Sequence, residues 1–151
     1  MTATPDIGPL SWVKGEIDLA LEQTRDEVAA YAAAPADGPL QSARARLHQV
    51  HGALAIVGLE GVIEFAQALE QLLTALAEGK VPDTADALNA LQAGLNGLRA
   101  YLDGLMAGEA HQALRLFPLY RALILARGLP DPSPGELFFP DLTQRPPRRE
   151  R

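Results

Sequence analysis

Apolar residues recur every three or four positions along most of the chain, the spacing that keeps them on one face of an α-helix. Leu10, Val13, Ile17, Leu21, Thr24, Val28 and Tyr31 mark a first amphipathic helix over about 11–33, which Pro35, Gly38 and Pro39 bring to an end. A second stripe, Leu40, Ala43, Leu47, Val50, Leu54 and Val57, predicts a helix over about 39–57. Gly58 and Gly61 then predict a tight corner before a third helix carrying Val62, Phe65, Leu69, Leu72 and Leu76. That helix closes at Gly79–Asp83, where Asp83 or Thr84 is placed to cap a fourth with the ladder Leu88, Leu91, Leu95, Leu98, Leu102 and Leu105. Four long helices on short loops predict an all-α, antiparallel four-helix bundle.

The pattern weakens after Gly108. Residues 114–127 are expected to form a shorter fifth helix, entered near Pro118 and lying across the bundle. Beyond Gly128, prolines exclude regular structure, yet Leu137, Phe138, Phe139 and Leu142 are too apolar for a free linker. The division that follows is a lead over 1–10, the bundle over 11–108, an accessory helix and packed tail over 109–144, and a disordered linker over 145–151.

Composition narrows the function. The 151 residues suit one domain, and the absence of cysteine excludes disulfides, thiolate metal sites and thiol catalysis. The net charge of −6 argues against nucleic-acid binding, and no apolar run is long enough for a membrane span. A cytoplasmic protein is expected.

The chemistry concentrates in His48-Gln49-Val50-His51-Gly52-Ala53-Leu54-Ala55-Ile56-Val57-Gly58. Positions 48, 52 and 55 share one helical face, so a histidine stands beside a strip of bare backbone. Glycine in a helix interior costs roughly 1 kcal/mol relative to alanine, and close approach of another protein to His48 is a reason to keep Gly52. Arg44 and Gln41 lie one and two turns before His48, and Ala45, Gln49 and Ala55 border it. This surround reads equally as ordinary surface or as a docking rim.

Histidine, two residues, a basic residue, glycine, five residues and a second glycine is the signature of histidine phosphotransfer (Hpt) domains, which this stretch resembles. The resemblance implies that His48 is the phosphoacceptor and that Gly52 and Gly58 are the family glycines. His51 stands where the family has lysine or arginine, the one departure. A histidine, charged only in part near neutral pH, offsets phosphoryl charge less well, so slower or more pH-dependent transfer is expected. The resemblance further implies a phosphocarrier without autonomous catalysis or a cofactor of its own. Mg²⁺ would come from a response-regulator receiver domain and ATP from a histidine kinase catalytic domain, the partners implied.

A longer resemblance runs through Gly8–Ile17, Leu47–Leu54, Leu116–Tyr120 and Leu137–Leu142. These segments are similar to the N-terminal domain of the chemosensory histidine kinases of type IV pilus systems, the ChpA/PilL kind, and to the related FimL scaffold. That implies a fragment of a longer kinase, CheY-like regulators as partners and a role in twitching motility. The rival reading keeps the bundle as an unphosphorylated scaffold that docks regulators or polar pilus proteins. A helical dimerisation domain is a further alternative.

Other residues invite plainer readings. His51 is near enough to His48 to share a metal ion, but without a third ligand no metal is expected. Glu60, Glu64 and Glu70 are read as solvated face, and paired Glu-x-x-His motifs of di-metal bundles are absent. Gly15, Gly94, Gly97 and Gly104 are expected to ease helix packing. Trp12 and Tyr31 are read as core or rim, and Phe117, Phe138 and Phe139 as intramolecular packing in preference to a cover for a partner groove.

Overall fold

The computed structural model describes residues 8–135. Its elements are α1 (Gly8–Ala33), α2 (Asp37–Val57), α3 (Val62–Ala77), α4 (Thr84–Met106), a 3₁₀ turn (Ala113–Leu116) and α5 (Phe117–Ala126). The first four close a ring in which each packs on its neighbours and α4 returns to α1, while α5 covers α3 and α4. All elements are helical among the described residues, as the apolar periodicity predicts. The tail residues Leu137, Phe138, Phe139 and Leu142, the linker from 145 and the first seven residues lie outside the described part.

The predicted stripes form one core. Ile17, Leu21, Val28, Leu47, Leu54, Phe65, Leu69, Leu91, Leu95 and Leu98 are all fully buried. Thr24 is accommodated among them because its hydroxyl donates to the Ala20 carbonyl at 2.7 Å, satisfying the one buried polar side chain among the described residues. Tyr31, Val57 and Leu88 pack against this core from its edge.

Local chemistry sets the corners. Gly58 and Gly61 adopt φ of 82° and 81°, and the Gly58 amide donates to the Leu54 carbonyl to finish α2. The Asp83 carboxylate accepts from the Ala85 and Asp86 amides at 2.9 and 3.3 Å, so Asp83 is the cap of α4. Pro118 falls in the first turn of α5, where its missing amide costs nothing. The α-helix therefore begins at Phe117, three residues later than expected, and the chain before it takes the tighter 3₁₀ form.

Polar ties between helices fasten the bundle, among them those of Arg46 on α2 to Glu27 and Gln23 on α1. Lys14 on α1 bonds Asp18 at 2.7 Å and reaches Asp103 on α4. Burial pulls the Lys14 pKa down, but the bonds and charges of Asp103 and Asp18 together raise it above the ordinary value. At the end of the bundle, Tyr101 accepts from the Gln112 amide at 2.7 Å and donates to Nδ1 of His111 at 2.5 Å. His111 in turn donates from Nε2 to the Glu60 carbonyl at 3.1 Å, tying the segment after α4 to the α2–α3 corner.

Two sequence expectations fail. Trp12 is 85% exposed, since it falls between Leu10 and Val13 and turns away from the stripe they define. Gly15 meets nothing within 4 Å of a virtual Cβ and so does not ease packing. Gly94 and Gly97 do, a Cβ at each meeting Leu69 of α3 and Leu119 of α5 closer than 3 Å, whereas at Gly104 the neighbour is the exposed carboxylate of Glu109 in the segment after α4.

Candidate functional site

His48 lies on the outer face of α2, one residue beyond fully buried Leu47. That offset turns the imidazole outward while the helix stays anchored, and the side chain is 76% exposed. Gly52 and Ala55 are exposed on the same face, and a Cβ on Gly52 would meet nothing within 4 Å. Gln49 is exposed as well. Arg44, one turn earlier, is half-buried and has no hydrogen bond or ion pair among the described residues.

The imidazole is held from α3. Glu70 Oε2 lies 3.0 Å from His48 Nδ1. A carboxylate oxygen only accepts, so Nδ1 carries the proton in this bond and Nε2 keeps its lone pair. The other oxygen of Glu70 is 3.6 Å from Nδ1 of His51, beyond a good hydrogen bond but within ion-pair range. The two rings meet edge to face with centroids 6.3 Å apart. One carboxylate thus serves two histidines from a neighbouring helix.

Glu70 is the residue that sequence reasoning missed. It was expected to be solvated face, yet only a quarter of its side chain is exposed and it bridges the histidines. It directly follows Leu69, a residue of the apolar stripe, and so sits where α3 turns from core toward α2. A polar residue on that flank is the available signal. It names a position facing some neighbour without naming the histidines.

Ile56 was also unmarked. It is 81% exposed one turn beyond Gly52, a large apolar side chain on the open face. Leu19 of α1, Gln49 and Ala53 line a shallow groove between α1 and α2 on the other flank of His48. On the α3 side, a cleft of about 550 Å³ runs from His48, His51 and Glu70 past Gln71 to Lys80 and Arg127. Arg127 donates to the Gln71 side chain at 3.1 Å. The cleft therefore holds two fixed cations, contributed from outside α2.

The arrangement presents a nucleophilic nitrogen to solvent, a carboxylate behind the same ring, and small residues on one side. It has no strand, no phosphate loop and no enclosed substrate cavity among the described residues. No helix among them is long and apolar enough to cross a membrane.

Among known proteins, the sequence model of one family, described as Hpt domain, matches residues 16–101, more than half of the chain. No curated protein and no solved structure matches the chain.

Proposed function

The chain belongs to the Hpt domain family, whose members carry phosphoryl groups on histidine in phosphorelays, and on that premise we propose that His48 is its phosphoacceptor. The observation that carries the reading is the pairing of exposure with orientation. His48 Nε2 is free for an incoming phosphorus atom while Nδ1 is held by Glu70.

In this mechanism the Nε2 lone pair attacks phosphorus of an aspartyl phosphate on a receiver domain. A nitrogen–phosphorus bond forms as the phosphorus–oxygen bond breaks, and the aspartate carboxylate leaves with the electron pair. The ring becomes a cation that keeps its Nδ1 proton, and Glu70 offsets that charge. In the reverse direction the same carboxylate holds the ring in place while the phosphoryl group departs. Mg²⁺ and the acid that carries the phosphate belong to the partner, or ATP to a kinase catalytic domain, so the domain's tasks are positioning and access.

Access explains the small residues. Gly52 and Ala55 leave room for a receiver surface, Ile56 and Leu19 offer it apolar contact, and Gln49 and Arg44 supply polar contact at the rim. His51 shares Glu70 with the acceptor, and where the family pattern has a permanent cation it adds charge only when protonated.

The finer assignment rests on sequence likeness. Gly8–Ile17, Leu116–Tyr120 and Leu137–Leu142 resemble the N-terminal domain of type IV pilus chemosensory kinases. We infer from this that the relay is cytoplasmic, runs to CheY-like regulators and controls twitching.

The test is incubation of the protein and of a His48→Gln variant with a radiolabelled phosphorylated regulator or an active kinase core. Acid-labile label that requires His48 is expected. No label from any cognate donor, with regulator binding intact, overturns the phosphocarrier reading in favour of a docking scaffold, which the absence of a permanent cation at position 51 would then explain.

A further inference from the structure

The two histidines and Glu70 come from separate helices and converge on a small volume, an arrangement with chemistry of its own. One ring nitrogen of His48, one of His51 and an oxygen of the Glu70 carboxylate all lie within 4.8 Å of one another. We propose that they form a reversible binding site for a divalent transition-metal ion of the zinc type, and that an ion bound there closes the site to phosphoryl transfer. The second half of this proposal rests on the phosphoacceptor role of His48.

The donor set selects the metal class. Two imidazoles and one carboxylate suit Zn²⁺ and its neighbours, whereas Mg²⁺ and Ca²⁺ seek more oxygen ligands than this site offers. The spacing also fits. Bonds of about 2.0–2.2 Å to a tetrahedral ion set its ligand atoms roughly 3.4 Å apart. The contacts of His48 with Oε2 of Glu70 at 3.0 Å and of His51 with Oε1 at 3.6 Å lie on either side of that value, and a turn of the carboxyl group would present one oxygen to both rings. Closing the His48–His51 side needs rotation of two rings one helical turn apart, exposed His48 and half-buried His51, on a helix whose backbone stays put. Water would fill the fourth position, as in open zinc sites with three protein ligands. Such an ion takes the Nδ1 lone pair of a neutral His48 ring, so the proton held toward Glu70 passes by exchange with solvent to Nε2, and no redox step is involved.

The consequence for the acceptor follows from where the ion sits. It takes up the carboxylate that would offset the imidazolium charge of the phosphorylated ring. With Nδ1 on the ion, the neutral ring carries its proton on Nε2, which then has no lone pair to offer phosphorus. The ion and its water would stand beside the His48 ring, at the end of the cleft that runs past Gln71.

His111 serves as an internal control, since both of its nitrogens are engaged, by Tyr101 and by the Glu60 carbonyl. The experiment is a titration of the metal-free full chain with ZnCl₂, followed by calorimetry and by NMR of the histidine rings, in wild type, His51→Ala and Glu70→Gln. Both substituted positions lie at the edge of the surface, and far-UV circular dichroism checks that the variants fold. One ion per chain is expected, with the His48 and His51 resonances shifted, those of His111 unmoved, and binding at least ~10-fold weaker in each variant. No shift at saturating zinc, or binding that survives both substitutions, overturns the site. Phosphorylation by potassium phosphoramidate with and without zinc then tests the closure. Label on His48 in the metal-free protein that zinc suppresses is expected, and an unchanged rate with zinc bound overturns the closure. If the metal-free protein takes no label at His48, the phosphoacceptor role fails while the calorimetric result for the metal site stands by itself.

Discussion

Glu70 Oε2 on α3 stands 3.0 Å from His48 Nδ1 on α2, and this bond decides which nitrogen of the exposed imidazole is free to react. Removing it leaves the ring to rotate and to sample both tautomers. A hydrogen bond to a charged group contributes about 1.5–3 kcal/mol, so Glu70→Ala should slow phosphorylation of His48 about 10- to 100-fold. The fold should be unaffected. Single-turnover transfer from a phosphorylated regulator measures the rate, and ¹⁵N NMR of the ring reports the tautomer; an unchanged rate would show that Glu70 does not orient the acceptor.

The same substitution at two helical glycines should have opposite effects. A methyl at Gly52 meets only solvent, so Gly52→Ala should raise stability by up to about 1 kcal/mol through helix propensity. If the bare backbone serves a partner's approach, Gly52→Ala, and more so Gly52→Leu, should slow phosphotransfer although the domain is more stable. At Gly94 the new methyl falls 2.8 Å from a side-chain carbon of fully buried Leu69, which must shift within the core to admit it. Overpacking there costs about 1–3 kcal/mol, more than the helical gain returns. Chemical denaturation of both variants checks the pair of signs.

Gly58 tests a different constraint. Its φ of 82° lies in the left-handed region, where a Cβ costs roughly 1–2 kcal/mol. Space is not the issue, since a Cβ would meet nothing within 4 Å. Gly58→Ala should therefore lower stability by about that amount, whereas Gly58→Asn should recover part of it. Thermal unfolding of the two variants distinguishes backbone strain from a role in partner contact.

Alkaline pH should loosen the bundle end. Burial raises the pKa of Tyr101 above its ordinary 10.0, against the opposing pull of the Gln112 amide and of Arg115. A raised folded pKa means that the stabilising contribution is complete below pH 10 and is lost as pH climbs through the folded value. Lys14, also raised, acts in the same direction. Tyr101→Phe should lower stability at neutral pH by about 1–2 kcal/mol, through loss of the bonds to Gln112 and His111, and should flatten the alkaline decline. Denaturation midpoints measured from pH 8 to 11 give both effects.

Much of the fold was legible because each helix buries one stripe, and a stripe leaves a periodic record in the chain. Leu88 through Leu105 announced α4, and its cap is Asp83, one of the two candidates, Asp83 and Thr84, that the sequence offered. The failures share a cause in direction. Trp12 and Gly15 sit beside stripe positions, where a rotation of one residue separates core from solvent, and the fifth helix began late because Pro118 fits only its first turn.

For the candidate site, the sequence by itself determined that a histidine and a glycine share one face of the second helix, because that relation is local and follows from 3.6 residues per turn. It also determined where the helices run. Only the tertiary structure decided that His48 is exposed and that Glu70 is its partner. Those 22 residues of separation are closed by the packing of α3 on α2. Side chains on different helices meet through the rotation and register of packed surfaces, and no spacing within one helix encodes which flank a neighbour will present.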